Sequence, residues 1–153
     1  MTVQEGSDLK QRIGDATTDA MKARDKARVA TLRLIKADIQ RVEVDERRSL
    51  SDDDVIAVLN RMLKQRQDSL GQYEAAGRED LAAQERYEIA LVREFLPEPL
   101  DETELERLID AAMAATGAAS MRDMGKVMAE LKPRIHGRAD VGAVSGKVKA
   151  RLQ

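Results

Sequence analysis

The densest set of residues able to do chemistry is the stretch Lys132-Pro133-Arg134-Ile135-His136-Gly137-Arg138-Ala139-Asp140. It gathers three cations and the chain's single histidine just before Asp140, a good first residue for a helix. Cations in a turn that feeds a helix N-terminus suit phosphate, because backbone amides and the helix dipole there add to the side-chain charge. Further on, Lys147 and Arg151 lie four apart on one helix face, with Lys149 on another. Lys132, Arg134, His136, Arg138, Lys147, Lys149 and Arg151 are therefore candidate nucleic-acid contacts, against the plain alternative of a solvated charged face.

The kind of contact is limited by the rings. Tyr73, Tyr87 and Phe95 all precede this region, so it has no Phe, Tyr or Trp ring on which to stack an unpaired base, and the contact would read backbone shape. Residues 1–77 balance to zero charge, 78–119 carry −7 and 120–153 carry +5, within a net charge of −2. A lone patch of that size predicts weak, salt-sensitive binding, with Kd of order 10⁻⁴ to 10⁻⁶ M.

Other chemistries lack their parts. The chain has no cysteine, which excludes thiolate nucleophiles, disulfides and cysteine-held zinc or iron–sulfur centres. No glycine-rich phosphate loop follows a strand, and His136 has no fixed acidic neighbour for a serine triad. Glu85 and Glu88, three apart, and the run Asp52–Asp54 are the carboxylate groupings to check. Without Glu-x-x-His spacing on two helices a carboxylate-bridged metal centre lacks nitrogen ligands, so the expectation is a solvated helix face and an N-cap. No catalytic residue, metal or cofactor is expected.

The elements that must position these residues are helical. Of 153 residues, 42% are hydrophobic, 35% charged and 2% aromatic, and strong helix formers dominate. Ser7 caps an expected helix over about 8–24, and Val29, Leu32, Ile35, Ile39 and Val42 mark a second. Ser51 with Asp54 opens a third, whose apolar stripe runs from Val55 to Tyr73. Gly77 ends it, and a fourth helix through Ile89, Val92 and Phe95 forms a hairpin with it. Leu96-Pro97-Glu98-Pro99-Leu100 is a linker, because each proline removes a donor and biases its predecessor toward extended geometry.

Three short helices follow, starting at Asp101, Ser120 and Asp140. Thr116-Gly117 ends the first and Lys132-Pro133 the second. Gly125, Gly142 and Gly146 fall inside them, each costing roughly 0.5 to 1 kcal/mol relative to alanine. Close helix packing is the expected reason at Gly125, while packing and approach of an RNA backbone both stand at Gly142 and Gly146. The expectation is an all-α protein with an N-terminal helical domain (1–95), a linker (96–100) and a C-terminal three-helix bundle (101–153). Met1–Asp8 has no apolar leader core, and no stretch nears 18 apolar residues, which predicts a cytoplasmic chain with no membrane contact.

The order of several segments resembles the GatB/YqeY family, specifically its freestanding YqeY-like members. The residues are Leu32-Arg33-Leu34-Ile35-Lys36-Ala37-Asp38-Ile39, Lys64-Gln65-Arg66-Gln67-Asp68-Ser69, and Tyr73-Glu74-Ala75-Ala76-Gly77-Arg78. Phe95-Leu96-Pro97, Thr116-Gly117-Ala118, Met124-Gly125-Lys126-Val127-Met128 and Gly137-Arg138-Ala139-Asp140 continue the match. In that family the C-terminal helical domain is similar to the tail of the B subunit of the tRNA-dependent amidotransferase, which touches tRNA. A similar domain is appended to some glutaminyl-tRNA synthetases.

The resemblance implies a non-catalytic, accessory tRNA-binding protein in translation, partnered with tRNA and with an aminoacyl-tRNA synthetase or amidotransferase. It adds Lys126 to the candidate contacts and puts Lys126 and Arg138 first among them. Where family members often carry a further basic residue after the Gly-Arg-Ala-Asp turn, this chain has Val141-Gly142-Ala143-Val144. Two alternatives stand beside this reading. One is a helical protein-interaction module without RNA contact. The other is a part in a carbon–nitrogen ligase with glutamine as amide donor, although the kinase and glutaminase centres of the amidotransferase have no counterpart here.

Overall fold

The computed structural model describes residues 7–153, so the polar segment 1–6 lies outside the described residues. Among the described residues there are seven α-helices, a single 3₁₀ turn and no strand. The chain divides into two compact units, 1–96 and 97–153, each with its own apolar core.

The first unit holds α1 (Asp8–Lys22), α2 (Lys26–Glu46), α3 (Asp52–Ala75) and α4 (Glu79–Arg93). The α1 start is fixed twice. The Ser7 hydroxyl accepts from the Lys10 N–H at 3.0 Å, and Asp52 accepts from the Ser7 hydroxyl and from the Leu9 N–H at 3.0 Å. The helix stops two residues before the expected Arg24. Arg24 turns left-handed (φ 58°), and Asp25 then caps α2 by accepting from the Arg28 N–H at 3.1 Å.

On α2 the expected stripe is inside: Leu32, Ile35 and Ile39 are 2% exposed or less. Ser51 and Asp54 make the expected capping box on α3, a pairing worth about 1 kcal/mol. Gly77, at φ +69°, lets the Arg78 N–H reach back to the Tyr73 carbonyl at 2.9 Å. A side chain there would strain the turn. Ile35, Leu59, Met62 and Val92 meet in the core of this unit.

The second unit holds α5 (Glu102–Thr116), the 3₁₀ turn Met121–Asp123, α6 (Met124–Ile135) and α7 (Val141–Leu152). Asp101 caps α5 by accepting from the Glu104 N–H at 2.7 Å, and Gly117, at φ +63°, ends it. The expected stop at Pro133 is not observed, since α6 runs through Pro133 to Ile135. A proline costs most in a helix interior, and here only two residues follow it. Ile135 is fully buried among Ile109, Leu131 and Val144, a burial worth about 1.5 to 3 kcal/mol that holds the last turn in place. Leu100 packs on the same core, and its N–H donates to the Arg138 carbonyl at 2.9 Å.

Candidate nucleic-acid interface

The cations of the second unit fall into two sets. Arg138, Lys147 and Arg151 face the acidic helix α5. Lys147 pairs with Glu102 and lies 3.7 Å from Glu106, while Arg151 pairs with Glu106 and Asp110. Spacing explains the match: Glu102, Glu106 and Asp110 recur every four residues on α5, and Lys147 and Arg151 do so on α7. The Glu102 carboxylate pushes the Lys147 ammonium pKa up, and Asp110 with Glu106 does the same for Arg151.

Arg138 is anchored differently. Its Nε donates to the Glu98 carbonyl at 2.9 Å, and a terminal nitrogen lies 3.7 Å from Glu104. Residues 97–119 hold one cation and six anions, against eight cations and three anions in 120–153. The basic C-terminal excess is therefore balanced inside its own unit.

Lys126, Lys132 and Lys149 form the open set, all exposed. None has an ion-pair partner within 4.0 Å among the described residues. Two positions from Lys147 on a helix is about 200° of rotation, so Lys149 stands on the flank of α7 away from the pairs with α5. Arg134 is exposed and keeps a loose pair with Glu130 at 3.6 Å. His136 is half-buried at the C-cap of α6. Arg122, which is not among the sequence-derived candidates, is exposed in the 3₁₀ turn four residues before Lys126 and likewise has no ion-pair partner among the described residues. Its signal in the sequence is a cation at a helix entry, lying within the cap formed by Ser120 and Asp123.

The α7 start and the glycines depart from expectation. The α7 N-terminus offers no open phosphate seat, because the Asp140 carboxylate accepts from the Ala143 N–H at 3.0 Å and already places an anion there. Nor does close packing explain Gly125. It is exposed, and a Cβ there or at Gly146 would meet nothing within 4 Å, while at Gly142 it would meet only Asp140 Oδ2 at 3.3 Å. All three glycines sit on exposed helix surface.

The carboxylates Glu85 and Glu88 are not on a solvated face. Glu88 is 9% exposed and accepts from Arg66 Nε at 3.0 Å and from Gln84 Nε2 at 3.1 Å. Arg66 belongs to α3 and Glu88 to α4, so the pair bridges the two helices of the hairpin. Glu85 Oε2 is shielded from solvent and accepts no hydrogen bond. Burial first, and then the Glu88 charge, push its carboxyl pKa up against the opposing Arg66. The signal was present in the sequence, for Glu85 and Glu88 share a helix side with Ala82, Ile89 and Val92. Asp54 of the acidic run serves the α3 cap, and Arg48 and the cap hold its carboxyl below the usual range. No three His, Asp or Glu among the described residues are placed to hold a metal ion, and no helix among them is long and apolar enough to cross a membrane.

The sequence profile described as Yqey-like protein matches residues 10–152, through both units. The chain belongs to the YqeY-like family. It is similar to an uncharacterized protein of Schizosaccharomyces pombe, 35% identical over 80 residues, which are 52% of this chain and 65% of that protein. It is also similar to altered inheritance of mitochondria protein 41 of Vanderwaltozyma polyspora, 28% identical over 113 residues, which are 69% of this chain and 60% of the relative. The matched region spans under two thirds of the length of each of these relatives.

Proposed function

We propose that this YqeY-like protein is a non-catalytic accessory tRNA-binding protein whose second unit touches RNA backbone through Lys126, Lys132 and Lys149, with Arg122 and Arg134 beside them. One observation carries the reading: these three lysines are exposed and unspent on ion pairs, while the neighbouring Arg138, Lys147 and Arg151 are held by α5. Exposed Gly125, Gly142 and Gly146 leave their helix surfaces low, which suits a backbone approaching closely. The resemblance of the Gly125–Met128 and Gly137–Asp140 segments to the amidotransferase tail gives the RNA its class, and points to an aminoacyl-tRNA synthetase or amidotransferase as the protein partner. Cytoplasmic placement belongs to the same proposal; the name of the Vanderwaltozyma relative assigns that protein to mitochondria.

The test is fluorescence-anisotropy titration of folded tRNA over a salt series, with a Lys126→Ala, Lys132→Ala, Lys149→Ala variant alongside. Binding that weakens steeply with salt and is lost in the variant supports the reading. Binding that the variant retains overturns the site.

A second reading has its own observation. Beside its buried stripe, α2 exposes Ala30, Leu34, Ala37 and Val44 at intervals of four, three and seven, with Arg41 interrupting the row, and Leu34 is 46% and Val44 67% exposed. That seam suits a partner helix, as in a protein-interaction module. Absent tRNA binding at low salt, together with a protein partner lost on Leu34→Asp, would favour it.

A further inference from the structure

The side chains of Lys147 and Arg151 are suited to phosphate, yet both are taken by carboxylates of the same unit. Glu102 and Glu106 hold Lys147, and Glu106 and Asp110 hold Arg151. Two rows of opposite charge at the same four-residue spacing resemble the way successive phosphates meet a basic helix face. Arg138 differs, because its hydrogen bond to the Glu98 carbonyl makes it a pin for the chain entering the unit.

We propose, resting on the RNA reading above, that α5 is a built-in competitor for RNA phosphate: Glu102, Glu106 and Asp110 occupy Lys147 and Arg151 and confine weak binding to the open lysines. The carboxylates are at the surface, with the side chains of Glu102 and Asp110 71% and 67% exposed. Rotating them away therefore needs no backbone movement, and exposed ion pairs of this kind are weak enough to yield. The cations are less exposed, 34% for Lys147 and 30% for Arg151, so they stay in position when the carboxylates leave. RNA that reaches this flank gains two more phosphate contacts, and α5 sets the affinity at which that happens.

The experiment is tRNA anisotropy on the full chain with Glu102→Gln, Glu106→Gln and Asp110→Asn combined. Two released cations should tighten binding roughly tenfold at low salt and steepen the log Kd against log salt slope by roughly 2. A control replaces the same number of exposed acids in the first unit, Asp15, Asp19 and Asp45, by Asn, so that a mere change in net charge is seen separately. Adding Lys147→Ala and Arg151→Ala to the α5 variant should return affinity and slope to wild type, and circular dichroism confirms that each variant keeps its helices. An unchanged slope in a folded α5 variant, an equal gain in the control, or a gain that survives Lys147→Ala and Arg151→Ala overturns the proposal. Should wild type bind through the open lysines while the α5 variant matches it, the competitor falls and the RNA reading stands. If neither wild type nor the α5 variant binds, both fall.

Discussion

Glu85 is a carboxylate whose removal should stabilise the protein. Its Oε2 is shielded and accepts no hydrogen bond, and the donors that could have reached it, Arg66 and Gln84, serve Glu88 instead. Burial and the Glu88 charge raise its carboxyl pKa above the ordinary glutamate value. A group whose folded pKa is raised carries its full stabilising share below the unfolded pKa and loses it as pH rises through the folded one. Ionised Glu85 therefore weakens the hairpin at neutral pH.

Glu85→Gln keeps the shape, removes the charge and supplies an N–H that can donate to Glu88. An unsatisfied buried acceptor costs about 1 to 3 kcal/mol. Glu85 is only partly buried, and solvent screening brings the expected gain below that range's lower end, to about 0.5 to 1 kcal/mol. For a unit of this size that raises Tm by roughly 2 to 8 °C. The assay is thermal unfolding followed by circular dichroism at pH 7 and pH 4. The gain should be present at pH 7 and shrink as pH falls toward the ordinary glutamate range. Glu43, Asp52 and Asp54 lose their own contributions in acid, equally in wild type and variant, so the difference isolates Glu85. A variant less stable than wild type at pH 7, or a gain the same at both values, would show that ionised Glu85 does not weaken the hairpin.

Other outcomes follow from the same contacts. Arg66→Ala strands the 11% exposed Glu88 side chain and should cost about 3 kcal/mol by urea denaturation, whereas Arg66→Met with Glu88→Leu should stay within about 1 kcal/mol of wild type. Gly117→Ala forces a side chain into φ +63° and should destabilise by about 1 kcal/mol, read as a lower Tm. Lys10 and the Leu50 N–H lower the Glu43 carboxyl, and Ser7 with the Leu9 N–H lower that of Asp52. Their stabilisation is present above the ordinary carboxylate pKa and lost as pH falls through the depressed one. Asp52→Asn should therefore flatten the acid limb of a stability-against-pH curve measured by urea denaturation.

Local signals in the sequence were largely sufficient for the helices. Leu32, Ile35 and Ile39 recur at intervals that only a helix brings to one side, and Ser51 with Asp54 marks a start through bonds three residues long. What stayed hidden depends on partners far along the chain. Nothing near Lys147 or Arg151 says that Glu102, Glu106 and Asp110, some forty residues away, lie opposite; the shared four-residue spacing was visible, but which flanks meet is a matter of packing. The same holds for Glu88, whose partner Arg66 sits on another helix, and for Pro133, where the burial of Ile135 overrides a local stop. Gly125 misled because a glycine in a helix suggests a close neighbour, and only the fold reveals open space.

If the open lysines of the second unit meet RNA, the contact is readable residue by residue. Lysine-reactivity footprinting by mass spectrometry, with and without folded tRNA at low salt, tests it at each residue separately. The expected result is protection of Lys126, Lys132 and Lys149, no change at Lys10 and Lys36 in the first unit, and loss of protection at high salt. Protection confined to the first unit, or none at any salt concentration where tRNA is bound, would contradict it.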